Sequence, residues 1–172
     1  HSKEHYEYYP SGKLKRRVDA KGNEVRYHYN SQGKLRKRID ESGGEEEYFY
    51  DGEGNVTLKI DRNGSRIERS YTVDGNVVWQ RARKVTGEES TTKYTYNERG
   101  EVETASKGGY CYRYLYTEGG KLKEKREGGR LLFGCSYNAR GQLSCLTDES
   151  GKRSEYLYDK LGRLERIRLE EG

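Results

Sequence analysis

A pattern of about 21 residues, Tyr-x-Tyr-x-x-x-Gly-x-Leu/Val, recurs eight times along the sequence. It reads YEYYPSGKL from Tyr6, YHYNSQGKL from Tyr27 and YLYDKLGRL from Tyr156, and only the copies that begin at Arg69 and Cys135 lack the first tyrosine. The second aromatic residue recurs at spacings of 21, 21, 21, 25, 20, 21 and 21 residues. Repeats of 20–50 residues are typical of arrays in which each unit packs on its neighbours. The repeat therefore constrains the fold more than any other feature of the chain.

Each copy has the pattern of two strands and two turns. Tyr-x-Tyr alternates with polar residues, as expected for a strand with one covered face. The following Asx-x-x-Gly is a turn signal, because the Asx side chain bonds its own backbone and glycine tolerates positive φ. A second alternating run and a second turn complete the unit and leave no room for a helix. We predict an all-β fold of tandem hairpins in one long, curved antiparallel sheet, a partial spiral shell, because sheets beyond about ten strands curl.

The register of each hairpin follows from its turn. If Tyr29 and Leu35 lie opposite each other, the loop between the strands is a type I turn with a glycine bulge. The turn glycines are Gly12, Gly33, Gly54, Gly75, Gly100, Gly120, Gly141 and Gly162. The predicted covered face, on the concave side, carries Tyr8, Leu14, Tyr29, Leu35, Tyr50, Val56, Tyr71, Val77, Tyr96, Val102, Tyr116, Leu122, Tyr137, Leu143, Tyr158 and Leu164.

A second row is expected on the same face. It comprises Tyr6, Arg16, Tyr27, Lys37, Tyr48, Leu58, Arg69, Trp79 and Tyr94. Arg16 and Lys37 would then lie between tyrosines, where cation–π contacts form. Packing is the favoured role for these aromatic residues, and stacking on a ligand is the alternative.

The composition is unusual for an ordered chain, since 30% of residues are hydrophobic and 37% are charged. Such values are typical of disorder, but the 17 tyrosines can bury their rings while their hydroxyls stay wet. We therefore expect an ordered but thin structure. The net charge of +5 is spread as mixed signs, which favours a solvated surface over a nucleic-acid interface. No run is long enough to insert into a membrane, and no signal peptide is visible.

The ends of the sequence suggest a piece of a longer protein. It lacks an initiator Met, and His1-Ser2 is typical of a cloning remnant. We expect residues 1–5 to be a remnant or edge, and residues 6–169 to form a single repeat domain, irregular at 78–135. Unpaired edge strands near Tyr6 and Leu164 would favour edge-to-edge self-association.

Catalytic chemistry is not indicated. No histidine has metal-ligand spacing to a cysteine or carboxylate, and Asp61–Gly64 lacks the fuller spacing of a calcium loop. We predict no catalytic residue, cofactor or metal. Cys135 and Cys145 are expected directly opposite each other on neighbouring strands, where a disulfide is conceivable. Two free thiols are the favoured alternative.

The Tyr-x-Tyr-Asp/Asn-x-x-Gly-x-Leu unit resembles the YD repeats of the RHS family, which includes bacterial polymorphic toxins, shell components of insecticidal toxin complexes, and teneurins. The resemblance covers Tyr6 to about Leu164. It implies a β-ribbon that spirals into a hollow shell, which encloses a toxic C-terminal polypeptide in the bacterial members and supports cell-surface recognition in teneurins. The family's Pro- and Asp-containing autoproteolytic motif is absent from the sequence, so that activity is not carried over.

The resemblance implies a structural, non-catalytic segment of an RHS-type shell that encloses or presents a toxin-like polypeptide. The partners would be neighbouring repeats and a C-terminal cargo domain of a secreted or cell-surface parent. The alternative is a recognition or adhesion module that binds a glycan or receptor through tyrosines and Trp79. A third reading, MORN-like repeats, is disfavoured by the double-Tyr motif and the repeat length. The segment that follows Gly172 in the parent would distinguish a shell from a recognition module.

Overall fold

The computed structural model describes residues 3–170, so the interpretation of His1-Ser2 as a remnant lies outside the described residues. These residues form antiparallel strands that follow one another in the sheet in chain order. The strands are β1 (His5–Tyr8), β2 (Leu14–Val18), β3 (Glu24–Tyr29), β4 (Leu35–Ile39), β5 (Glu45–Tyr50), β6 (Val56–Ile60), β7 (Arg66–Tyr71), β8 (Val77–Arg83), β9 (Glu89–Tyr96), β10 (Val102–Lys107), β11 (Tyr110–Tyr116), β12 (Leu122–Glu127), β13 (Arg130–Tyr137), β14 (Leu143–Asp148), β15 (Arg153–Tyr158) and β16 (Leu164–Leu169). The prediction of an all-β array of tandem hairpins is confirmed.

The chain divides into two compact units, residues 1–91 and 92–172. The first holds β1 to β8 and the start of β9, and the second holds the remaining strands. Cys145, at 6% exposure, is the only buried hydrophobic residue among positions 3–170. Each unit is therefore a single layer that lacks a conventional core. Within the described positions, no helix is long and apolar enough to cross a membrane.

Apart from the two Gly-Gly turns, the turns share one hydrogen-bond pattern. In the turn after β3, the Asn30 N–H donates to the Lys34 carbonyl at 2.8 Å, and the Gly33 N–H donates to the Asn30 carbonyl at 2.9 Å. Gly33 has a φ of 73°, in the left-handed region that favours glycine. The Asn30 Oδ1 accepts from the backbone N–H groups of Gln32 and Lys34 at 3.0 and 2.9 Å. The Asx side chain and the glycine thus fix the loop together.

A β-bulge follows the turn in each of the eight hairpins. In the second hairpin, Tyr29 pairs with Leu35, but His28 pairs with Lys37, so Arg36 is the extra residue. Directly opposed residues share a face and consecutive residues alternate. Leu35 therefore lies on the face of Tyr29, and Lys37 lies on the opposite face.

This bulge overturns the predicted second row. Tyr27 pairs with Arg38, and Tyr48 pairs with Lys59, so these residues share the tyrosine face. The residues that the bulge moves to the opposite face are Arg16, Lys37, Leu58 and Trp79. An alternating pattern cannot reveal a bulge, because one unpaired residue reverses the side of every position beyond it.

The irregular repeat spacings have local causes. Strands β8 and β9 have seven and eight residues, against five and six in β6 and β7, and these differences supply the four extra residues. The turns at 108–109 and 128–129 are Gly-Gly pairs with positive φ at both positions, as in two-residue type I′ hairpins. Leu132 is an extra residue in β13, which restores the length of that repeat.

Candidate functional site: the tyrosine ladder

Neighbouring hairpins diverge on the side of the tyrosine motif. Strands β2 and β3 pair through three residue pairs, from Arg16↔Arg26 to Val18↔Glu24. Tyr29 and Leu14 lie beyond this ladder, where no further pair joins the two strands within the described residues. Here the Tyr29 hydroxyl donates a hydrogen bond of 3.0 Å to the Leu14 carbonyl. A side chain thus closes the gap that the backbone leaves open.

This hydrogen bond recurs along the chain, and we call the set the tyrosine ladder. In the first unit it joins Tyr29 to Leu14, Tyr50 to Leu35 and Tyr71 to Val56, at 3.0, 2.7 and 2.7 Å. In the second it joins Tyr116 to Val102, Tyr137 to Leu122 and Tyr158 to Leu143, at 2.9, 2.7 and 2.9 Å. Burial raises the pKa of Tyr50 above its ordinary value, so its hydroxyl stays protonated and able to donate. Each bond ties a repeat to the one before it.

Lysines cover several of these rings. Lys13, Lys34 and Lys121, each directly after a turn glycine, lie over the rings of the next ladder tyrosine at 5.3, 5.4 and 5.2 Å from the centroid. The Lys34 ammonium also donates to the Gly54 carbonyl at 2.7 Å, and Lys121 donates to the Gly141 carbonyl. A cation over a tyrosine face is attracted by the ring quadrupole. These lysines therefore fasten one turn to the next.

The sequence-predicted cation–π residues have other partners. Arg16 forms an ion pair with Glu24 at 2.7 Å, and Lys37 forms pairs with Glu45 and Glu47 at 2.7 and 2.9 Å. Hydrogen bonds from Arg16 and then Arg26 lower the pKa of Glu24 to about 2. The sequence did not lead us to predict that Lys13, Lys34 and Lys121 contact the ladder tyrosines, although each of them lies between a turn glycine and a leucine.

Comparison with known proteins identifies the repeat. The sequence model of the RHS Repeat family matches residues 8–46 and 137–172. Residues 8–46 and 137–172 are RHS repeats. This confirms the resemblance found in the Tyr-x-Tyr motif. A search of curated proteins found no significant match.

Solved structures share the fold of these RHS repeats. A crystal structure of TcdB2-TccC3 matches 98% of this chain at 18% identity with a TM-score of 0.83, and this chain covers 10% of that one. TcdB2-TccC3 without its hypervariable C-terminal region gives the same identity, TM-score and 10% share, over 96% of this chain. A Tc holotoxin pore of Photorhabdus luminescens matches 98% of this chain and 13% of that chain at 15% identity, with a TM-score of 0.54. The chain thus spans about a tenth of the length of these proteins.

The RHS repeats place the predicted face residues in directly opposed pairs. Each hairpin pairs its second aromatic residue with its Leu or Val. The pairs are Tyr8↔Leu14, Tyr29↔Leu35, Tyr50↔Val56, Tyr71↔Val77, Tyr96↔Val102, Tyr116↔Leu122, Tyr137↔Leu143 and Tyr158↔Leu164. The predicted turn glycines have φ values from 73° to 90°. Geometry thus assigns both sets to the framework of the RHS repeats.

The cysteines of the seventh RHS repeat are not directly opposed. Cys135 pairs with Leu146 and Cys145 pairs with Ser136, because Ser144 is the bulge residue. Both thiols are free, and they lie on opposite faces. The Arg153 Nε–H donates to the Cys145 sulfur at 3.4 Å. The expected juxtaposition of Cys135 and Cys145 is therefore wrong by one residue.

Clusters that could hold a metal are not found within residues 3–170, where no three His, Cys, Asp or Glu side chains converge. The acidic side chains of the RHS turns instead accept hydrogen bonds from backbone N–H groups. Asp19, for example, accepts from the N–H groups of Lys21 and Asn23 at 2.8 and 3.0 Å. This arrangement fixes the turns.

Proposed function

We propose that this chain is a non-catalytic segment of the wall of an RHS-type shell that encloses a polypeptide in a longer parent protein. The observation that carries the proposal is the tyrosine ladder, in which three gaps between hairpins in each unit are closed by the hydroxyl of the following repeat. A sheet closed in this way presents a continuous surface while it remains one layer thick.

The fold supports this function. The match to TcdB2-TccC3 extends over 98% of the chain, although identity is only 18%. The parent would be secreted or displayed at a cell surface, with its cargo C-terminal to these repeats. Both the neighbouring repeats and the cargo would contact the wall. The tyrosine face is the one that we assign to the concave, cargo-facing side.

Recognition of a glycan or receptor is the weaker candidate. Ladder tyrosines donate their hydroxyl hydrogens to backbone carbonyls, so these hydroxyls cannot also donate to a sugar. Trp79 lies on the opposite face from Tyr71, with the Arg81 guanidinium 5.6 Å from its ring centroid. Aromatic residues are thus divided between two faces, and they do not form one exposed stacking platform.

Limited proteolysis of the full-length parent, followed by mass spectrometry, tests enclosure. We expect the segment C-terminal to the repeats to survive while the repeats are folded, and to be digested once they are denatured. A parent with Tyr50→Phe and Tyr71→Phe should protect this segment for a shorter time, because two ladder bonds are lost. Tyr110→Phe is the matched control. A segment cut at the rate of an exposed domain in the native parent would refute enclosure.

A further inference from the structure

The residue after the turn glycine is acidic in one repeat of the tyrosine ladder, whereas it is Lys in three repeats and Asn, Gln or Arg in the other four. Lys13, Lys34 and Lys121 follow a turn glycine and cover the next ladder ring. In the fifth repeat the residue at this position is Glu101, and the next ladder ring is Tyr116. A carboxylate thus takes the place of an ammonium beside an electron-rich ring, which favours cations.

The Glu101 side chain lies against Gly120, as Lys34 lies against Gly54. One of its carboxylate oxygens accepts from the Asn97 side-chain amide at 2.7 Å. Burial, and then the charge of Glu101, raise the pKa of Tyr116. The carboxylate therefore acts on the ring electrostatically and offers its second oxygen to a donor.

The turn carbonyl at this place also lacks the lysine donor that two other turn carbonyls have. The Gly54 and Gly141 carbonyls accept from the lysine of the preceding repeat. No side chain among residues 3–170 donates to the equivalent Gly120 carbonyl. Three acceptors, a carboxylate oxygen, a carbonyl and a ring face, thus surround the position that an ammonium occupies in other repeats.

A hollow of about 420 Å³ adjoins this position, lined by Tyr114, Tyr116, Glu98, Glu101, Glu103 and Glu118 among others. None of the four glutamates forms an ion pair within the described part of the chain. Arg99 also lines the hollow, but its guanidinium donates to the Glu118 backbone carbonyl. The equivalent hollow between the second and third repeats is less acidic, since it is lined by Asp51 and by Arg36 at the position of Glu103.

We propose that the Tyr116–Glu101 hollow is a binding site for a guanidinium or alkylammonium group. The group would lie over the Tyr116 ring and donate to Glu101 and the Gly120 carbonyl, in place of the missing lysine. It would come from an arginine or lysine side chain of a polypeptide or from a free amine of similar chemistry. The site does not depend on the enclosure of cargo, so either proposal can fail alone.

NMR titration of the isotopically labelled chain tests the site. The probes are agmatine, as a free guanidinium, and a capped Gly-Arg-Gly peptide. We expect shifts in the Tyr116 ring and Gly120 amide resonances, with a Kd on the order of 1 mM, since a few contacts of this strength add little affinity. Glu101→Lys should supply the lysine that the first, second and sixth repeats have, abolish these shifts and raise Tm. Glu53→Lys, with the same charge change on an exposed turn of the first unit, should leave the shifts intact.

Shifts with both probes would assign the site to the guanidinium group itself. Shifts with the peptide alone would assign it to a polypeptide side chain, and shifts with agmatine alone would assign it to a free amine. The proposal is overturned if neither probe moves these resonances, or if both probes act equally on the wild type and Glu101→Lys. A Glu101→Lys variant with unchanged or lower Tm would also contradict the missing-lysine geometry.

Discussion

Tyr50 differs from a phenylalanine by one hydroxyl, which donates a hydrogen bond of 2.7 Å to the Leu35 carbonyl. Tyr50→Phe keeps the ring and removes that bond, so we expect the free energy of unfolding to fall by about 1 kcal/mol. Urea denaturation measures the change. Tyr110→Phe is the control, since Tyr110 is 61% exposed and its hydroxyl has no partner within the described residues. An equal loss of unfolding free energy in the two variants would show that the ladder hydrogen bond does not stabilise the fold.

Backbone conformation can be tested separately from contacts. Gly22 has a φ of 92°, and a methyl group there would meet open space. Gly22→Ala should therefore lower the free energy of unfolding by about 1–2 kcal/mol through strain alone. Gly52 has open space without a positive φ, so Gly52→Ala should be neutral or slightly stabilising. The same urea series compares them, and a neutral Gly22→Ala would contradict the strain argument.

At the residue scale, the sequence predicts the turns but not the tyrosine ladder. The positions of Gly33 and Asn30 follow from local turn chemistry, which five consecutive residues contain. The acceptor of Tyr29 could not be predicted, because it depends on where two strands stop pairing. That divergence is a property of two hairpins and has no signal in either strand alone.

Within each hairpin, the bulge limits what an alternating pattern can predict. The opposed pair Tyr29↔Leu35 follows from the loop length, whereas Lys37 lies on the face opposite to the one expected. Arg36, the extra residue, gives no sequence signal of the bulge, since most residue types are tolerated at a bulge position. The alternating pattern therefore predicts the strands and their order, but it assigns residues beyond the first opposed pair to the wrong face of the sheet.

The cysteine register predicts free thiols. Cys135 and Cys145 are on opposite faces and Cys111 is exposed, so all three should be alkylated by iodoacetamide after denaturation without reductant. In the native chain, Cys111 should react first and buried Cys145 last. Intact-mass spectrometry counts the adducts, with a dithiothreitol-treated sample as control. Two adducts fewer before reduction than after it would reveal a disulfide.

The turns predict acid sensitivity. Hydrogen bonds from the Ser42 hydroxyl and then the Gly44 N–H lower the pKa of Asp40 to about 2. The unfolded value is near 3.9, so this stabilisation is present above about pH 4 and is lost as the pH falls towards 2. Urea denaturation from pH 7 to pH 2.5 should show a decline that begins below pH 5.

Asp40→Asn should reduce the slope of this decline, since one titrating group is removed. Asp74→Asn is the matched control, because the Asp74 carboxylate accepts no hydrogen bond from the described residues. A decline of equal slope in Asp40→Asn and the wild type would exclude Asp40 as a contributor.

At the scale of the whole molecule, the first and last strands have a neighbour on one side only among the described residues. Tyr8 in β1 is 59% exposed and Leu169 in β16 is 71% exposed. Such edges template association, so we expect the mass measured by light scattering to rise with concentration. Ile167→Lys should suppress this rise, and Val73→Lys in an exposed turn should not. A constant monomer mass in the wild type would contradict edge pairing.

The direction of the tyrosine ladder has a consequence for synthesis. The Tyr50 hydroxyl donates to the Leu35 carbonyl, and the Tyr71 hydroxyl donates to the Val56 carbonyl. Each acceptor therefore precedes its donor in the sequence. A ribosome synthesises the chain from the N-terminus at about 5–20 residues per second. The acceptor carbonyl of a newly synthesised hairpin therefore stays without its tyrosine donor until 15 more residues have been added, which is the separation of donor and acceptor. The growing chain always carries one unfinished hairpin, and translation itself sets the order in which the repeats are completed.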